Sequence, residues 1–155
     1  KIYELKGRSA NQALPIFIAD ISQMDIYAEG ITGAARELAQ QHWPGPLTLV
    51  ARKSSRVPDF VTAGQSTVAI RIPNHKEVLE LLKKFGKPLA VTSANRSGEK
   101  ELIMADDVRR AFGDTVTVML GECGNSSGVS TIVDGTQHPM RIIRQGVLKL
   151  PELSG

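Results

Sequence analysis

Two stretches of this chain carry residue types that could handle an anion. Lys6-Gly7-Arg8 sets two cations around one glycine, so both side chains and bare backbone can meet the same group. Arginine offers a planar fork for two phosphate oxygens, and lysine a mobile point charge. Thr92-Ser93-Ala94-Asn95 follows an apolar segment and gathers hydroxyl and amide groups. The carboxyl ends of strands are where open α/β sheets place their ligand clefts. Together the two stretches read as a polyphosphate site built without a P-loop. Taken alone, each also has a plainer reading: a solvated basic helix end for the first, an Asx or Ser/Thr turn for the second.

Three further positions join the candidates. Arg71 shares a strand face with Thr67 and Ala69, small neighbours that leave room above the sheet, although a snorkelling surface arginine fits equally. Ser130, in Gly128-Val129-Ser130-Thr131-Ile132, enters a strand at what could be a cleft edge. Arg144, in Arg141-Ile142-Ile143-Arg144-Gln145-Gly146, is a fourth cation. By themselves the last two read as structural.

The elements that must position these residues follow from hydrophobic spacing. LPIFIAD over 14–20, LTLVA over 47–51, TVAIRI over 67–72, PLAV over 88–91, and the segments 115–120, 129–134 and 140–144 read as strands. In the third, Val68, Ile70 and Ile72 point one way and Thr67, Ala69 and Arg71 the other. Helices are predicted over 30–42, over 74–85 with Asn74 as cap, Glu77 at the reciprocal capping position and Val78, Leu81, Leu82 and Phe85 as the buried stripe, and from Met104 to Phe112. Trp43-Pro44-Gly45-Pro46 must end the first of these, and Trp43 reads as a core anchor. Strands and helices alternate in the middle and strands finish the chain. The fold class is therefore α/β, with a twisted mixed parallel and antiparallel sheet flanked by helices.

The 155 residues predict one domain, with 41% hydrophobic and 23% charged residues, as in ordinary globular proteins. A net charge of +3 suits an anionic substrate without identifying one. Cys123 is the only cysteine, which excludes an intrachain disulfide and fits a cytoplasmic setting. As a nucleophile it has no nameable base. No apolar run of about 18 residues exists, so no membrane span is expected. His42, His75 and His138 are too scattered to suggest a zinc site, and GxxxxGK[ST], GxGxxG and GxSxG are absent.

The ordered set KIYELKGR, ALPIFIAD, WPGPLTLVARK, TVAIRIPNHKEVLELLKKFGKPLAVTSANRSG, GVSTIVD and RIIRQG resembles the YrdC family of threonylcarbamoyl-AMP synthases, from Lys1 to about Leu148. The resemblance implies a YrdC-like sheet with a basic concave cavity. It implies condensation of L-threonine, bicarbonate and ATP, carried with Mg²⁺, to threonylcarbamoyl-AMP and pyrophosphate. The product serves tRNA modification, and a separate downstream complex makes the transfer. By motif, Lys6 and Arg8 match K-x-R, expected to hold ATP phosphates and to act in catalysis. Ser93 and Asn95 match S-x-N around the nucleotide. Arg71 is expected to face threonine. Ser130 is expected at the nucleotide and the reaction centre, and Arg144 as a further nucleotide contact.

Three departures accompany the resemblance. The family's first strand and its Y-P-T-E-T-type segment, which helps bind threonine, have no counterpart, implying a single domain over 1–155 shortened at its start. Ser9 replaces the usual proline after K-x-R. Glu99 to Ile103 replaces the usual proline, serine and threonine residues, which leaves the nucleotide contacts of that loop open. Two rivals stand beside this reading. One is an RNA-binding module of the same fold without its own catalysis, against which the 5% aromatic content argues. The other is a carbamoyl-adenylate domain like those of hydrogenase-maturation carbamoyltransferases, which belong to much longer chains.

Overall fold

The computed structural model describes residues 1–119 and 128–151. In chain order the helices are α1 (Ile2–Lys6), α2 (Met24–Tyr27), α3 (Gly33–His42), α4 (Asp59–Thr62), α5 (Lys76–Phe85) and α6 (Ala105–Phe112). The strands are β1 (Ile16–Phe17), β2 (Ala28–Glu29), β3 (Leu47–Lys53), β4 (Thr67–Arg71), β5 (Leu89–Ala90), β6 (Thr131–Asp134) and β7 (Arg141–Arg144). They form one sheet in the order β5-β1-β4-β3-β6-β7, with β2 pairing to β3. β1–β4 and β3–β6 are parallel; β1–β5, β3–β4, β2–β3 and β6–β7 are antiparallel. This is the mixed sheet with helices that the alternation predicts.

The strand period of two sorts the sheet into two faces. Ile16, Ile18, Leu47, Leu49, Val68, Ile70, Ile72 and Val133 join Ala35, Leu38 and Ala39 of α3, with Met24 and Trp43, in one buried core. Ile18, Leu47 and Val133 have no exposed surface. Burying each such aliphatic side chain stabilises by about 1.5–3 kcal/mol. The other face carries Phe17 opposite Arg71, Val50 opposite Ala69, and Ile132 opposite Arg144. Thr48, paired with Ile132, and Ser130, two residues before Ile132, fall on that same side.

Several elements differ from their predicted extents. The 14–20 ladder narrows to Ile16–Phe17 because Pro15 has no N–H to give, and Asp20 instead caps a 3₁₀ turn over Ile21–Gln23 by accepting from Ser22 N at 2.8 Å. His75, not Asn74, is the N-cap residue of α5, and no side chain caps that helix. Leu82 is its buried anchor, with Leu79 packed against the core, while Leu81 and Phe85 stay exposed. The stripe is therefore one residue narrower and shifted. Met104 is an exposed N-cap residue of α6 rather than part of its packed face.

The segment from 115 does not form a strand within the described residues. Thr115 closes a 3₁₀ turn over Gly113–Thr115. Val116, Val118 and Met119 instead line an apolar cleft of about 360 Å³ with Ile2 and Leu5 of α1 and Val108 and Phe112 of α6. Leu120 and Cys123 lie outside the described residues.

Candidate functional site

The first cluster forms where α1 runs out. Gly7 N bonds to Glu4 O and Arg8 N to Tyr3 O, closing the helix and turning both cations of the K-x-R stretch toward the loop after β5. Lys6 is 6% exposed, and its ammonium donates to Ser93 O at 2.7 Å, to Asn95 O at 2.9 Å and to Asn95 Oδ1. Ser93 Oγ donates to the same Asn95 Oδ1 at 2.8 Å, and Asn95 Nδ2 donates to Glu99 O at 2.7 Å. Ser97 N returns to Lys6 O at 2.9 Å. An ammonium has three protons, and the loop takes all three. Lys6 therefore organises the S-x-N loop and offers the neighbouring cleft its charge. Burial, and then the charge of Arg8, hold its pKa below the usual 10.5 against the opposite pull of Glu101.

Arg8 is arranged differently. Nη1 donates to Thr92 Oγ1 at 3.3 Å and Nη2 to Ala13 O at 3.2 Å. Its Nε is buried and has no hydrogen-bond partner among the described residues. A buried donor left unpaired costs about 1–3 kcal/mol, so an acceptor arriving there is favoured. Lys6, Arg8, Ser93 and Asn95 line a polar cleft of about 370 Å³, together with Ser9 and Gln12.

The second cluster is built on the Trp43-Pro44-Gly45-Pro46 turn. Trp43 Nε1 donates to Leu47 O at 2.8 Å and Gly45 N to Ile72 O at 2.9 Å, so the turn is pinned across the ends of β3 and β4. A Cβ on residue 45 would lie 2.3 Å from His42 O, so only glycine fits. The Gly45 carbonyl accepts Arg71 Nε at 2.8 Å, and the guanidinium lies 5.6 Å from the centroid of the Phe17 ring. Burial and then the charge of Arg144 disfavour the charged form of Arg71. An arginine nonetheless stays protonated, so two like charges face each other here.

Arg144 reaches this cluster through an irregularity. Ile142 pairs with Val133 on the core side, yet Arg144 pairs with Ile132 on the other side, because Ile143 is an extra residue between them. One inserted residue flips the side chains that follow it. Arg144 then donates from Nε and Nη2 to Ser130 O at 3.2 and 2.9 Å, and from Nη2 to Ser130 Oγ at 3.2 Å. Gly146 passes so close that a Cβ would stand 2.2 Å from Val129 O. Thr48 Oγ1 lies 2.8 Å from Ser130 Oγ, with both residues buried. Sequence reasoning missed Thr48, which sits inside an otherwise apolar run. It also missed that Gly45 contributes its carbonyl.

What marks these four cations is the backbone and hydroxyl oxygens that hold them. Arg36, Lys53, Arg109 and Arg110 each pair with an aspartate. None of Lys6, Arg8, Arg71 or Arg144 forms an ion pair among the described residues. They are held by carbonyls and hydroxyls, which orient a cation without neutralising it. Arg8 is tethered at Ala13 and Arg71 lies over Phe17, four residues on along one extended segment, a span of at most ~14 Å. Such an arrangement can take anions. No group of three or more His, Cys, Asp or Glu suited to a metal ion occurs among the described residues. No helix there is long and apolar enough to cross a membrane.

Comparison with known proteins gives a consistent picture. The Sua5/YciO/YrdC family model, described as telomere recombination, matches residues 1–146. A threonylcarbamoyl-AMP synthase of Pyrococcus abyssi is 39% identical over 154 residues, covering 99% of this chain and 45% of that protein. One from Shigella boydii is 34% identical over 148 residues, covering 94% of this chain and 77% of its own. The crystal structure of P. abyssi Sua5 complexed with L-threonine superimposes with a TM-score of 0.89 at 38% identity, over 94% of this chain and 43% of that one. This chain thus spans less than half the length of the Pyrococcus protein.

Proposed function

This chain belongs to the Sua5/YciO/YrdC family, and on that premise we propose that the protein is an L-threonylcarbamoyladenylate synthase. It condenses L-threonine, bicarbonate and MgATP into threonylcarbamoyl-AMP and pyrophosphate for tRNA modification, with a separate complex downstream making the transfer. The observation that carries this reading is that Lys6, Arg8, Arg71 and Arg144 are each oriented by backbone and side-chain oxygens of the two clusters while none is neutralised by a carboxylate among the described residues.

The chemistry explains why such a set is needed. The threonine amine and bicarbonate give a carbamate with loss of water. A carbamate oxygen attacks the α-phosphorus of ATP, the bond to the β-phosphate oxygen breaks, and pyrophosphate leaves. Two unit anions about 4 Å apart repel by roughly 4 kcal/mol at an effective dielectric near 20. Uncompensated cations offset that repulsion, and nucleotidyl transfer asks mainly for positioning and charge. No histidine base or covalent nucleophile is required.

The roles divide along the two clusters. Arg8 takes phosphate oxygens with its fork and its unpaired Nε. Lys6 adds charge and holds Ser93 and Asn95 in place around the nucleotide. Arg71 faces the threonine carboxylate. Ser130 serves at the nucleotide and the reaction centre, and Arg144 adds a further nucleotide contact. The lining of the Lys6–Arg8 cleft carries no carboxylate, so Mg²⁺ enters with the triphosphate as part of the substrate, as that ion commonly does. Phe17, the aromatic of the second cluster, lies beneath a guanidinium rather than displayed for base stacking, which disfavours a purely RNA-binding role.

The test is pyrophosphate release by the full-length protein, with mass detection of threonylcarbamoyl-AMP. Release is expected only when threonine and bicarbonate are both present. ATP turnover indifferent to either one would sink the proposal.

A further inference from the structure

Resting on the synthase reading above, we infer that Thr48 is a positioning residue for the reaction: its hydroxyl donates to Ser130 Oγ and leaves the Ser130 proton for an anionic oxygen of the substrate. Thr48 belongs to β3, on the sheet face that also carries Arg71 and Arg144. Its Oγ1 and Ser130 Oγ are 2.8 Å apart.

Proton counting gives the direction of that bond. A hydroxyl has one proton and two lone pairs. Ser130 Oγ already accepts from Arg144 Nη2 at 3.2 Å. Either direction leaves one proton without a partner among the described residues: donation by Ser130 would strand it on Thr48, 5% exposed within β3, whereas donation by Thr48 leaves it on Ser130, 8% exposed at the entry to β6 beside Arg144. An unsatisfied buried donor is costly. If Thr48 donates, both Ser130 lone pairs are filled, one by Thr48 and one by Arg144. The remaining Ser130 proton then lies on the side shared with Arg71 and Arg144. A donor there complements a carboxylate or carbamate, whereas a lone pair would repel it. The β-branch of threonine restricts χ1, which fixes the direction of donation.

The experiment is a cycle in the full-length protein, reading kcat/KM for L-threonine in pyrophosphate release and the melting temperature for T48V, T48S, S130A and T48V/S130A. Loss of one such hydrogen bond predicts that T48V lowers kcat/KM about tenfold. T48S should recover to within about threefold of wild type, since it keeps the donor. In the S130A background, T48V should change kcat/KM by less than about twofold, because the group it positions is gone. A T48V variant equal to wild type, or one with the same cost with and without Ser130, overturns the inference; the second result marks a merely structural tie. Should T48V melt below the assay temperature, Thr48→Ala takes its place in the cycle under the same limits. A wild type without threonine- and bicarbonate-dependent release overturns the synthase reading, and this inference with it. A flat Thr48 series in an active wild type overturns this inference alone.

Discussion

The Lys6 ammonium is enclosed by Asn95, donating to both its backbone and side-chain oxygens while a third proton goes to Ser93 O. The cation that ends α1 is thereby the organiser of a loop nearly ninety residues away. Lys6→Met should destabilise the protein by about 2 kcal/mol, the scale of losing charge-assisted bonds to buried acceptors. It should also raise KM for ATP. Chemical denaturation and steady-state kinetics check both. A variant with wild-type stability would show that the three bonds do not hold the loop.

Lys6 also predicts a pH dependence. Its folded pKa lies below the usual 10.5. The folded state therefore releases this proton before the unfolded state does, and the unfolded state binds more protons in that interval. Stability contributed by this group rises with pH from its folded pKa toward 10.5. Over the same window the cleft loses positive charge, so ATP affinity falls. Denaturation and ATP titrations on the alkaline side, compared between wild type and Lys6→Met, read the two opposite slopes. The Met variant should show neither.

Arg8 is the cation with an unpaired buried Nε. Arg8→Ala should lower kcat/KM for ATP by about a hundredfold or more, the scale of truncating a buried charged contact. Melting temperature should change little. Arg8→Lys should recover only a small part, since a lysine has neither the fork nor an Nε. Wild-type turnover in Arg8→Ala would misplace the phosphate site.

The extra residue in β7 makes a sharper test. Deleting Ile143 makes residue 144 the direct successor of Ile142, still opposite Ile132 and on the site face, so turnover should be largely kept, whereas Arg144→Ala should lower it on the order of a hundredfold. Ile143→Ala keeps the inserted residue, and its half-exposed side chain should cost no more than about 0.5 kcal/mol. A loss in the deletion as deep as in Arg144→Ala would show that Arg144 needs the inserted residue itself and not only its side of the sheet.

The sequence showed some of this directly. β4 was legible because Val68, Ile70 and Ile72 alternate with Thr67, Ala69 and Arg71, and that period places Arg71 on one face without any knowledge of partners. Trp43 was legible because the prolines and glycine after it force a turn. The K-x-R and S-x-N stretches drew notice by residue type, but their meeting depends on a contact across nearly ninety residues that no local pattern encodes. Thr48 was hidden because strands buried on both sides lose the alternation that marks a polar position. RIIR read as a regular strand, since a bulge leaves no signature when both central residues are isoleucine. Residues 116–119 misled because alternating valines suit a strand, yet these side chains pack beside α1 and α6 instead.

The bulge at Ile143 has one more effect. Among the described residues, β7 is the outermost strand on its side of the sheet. A long, flat rim of unpaired amides invites a second chain to add itself there. Here the rim is short, bent by its inserted residue and flanked by Arg141 and Arg144. The same irregularity that turns an arginine toward the site also makes this border a poor template for self-association.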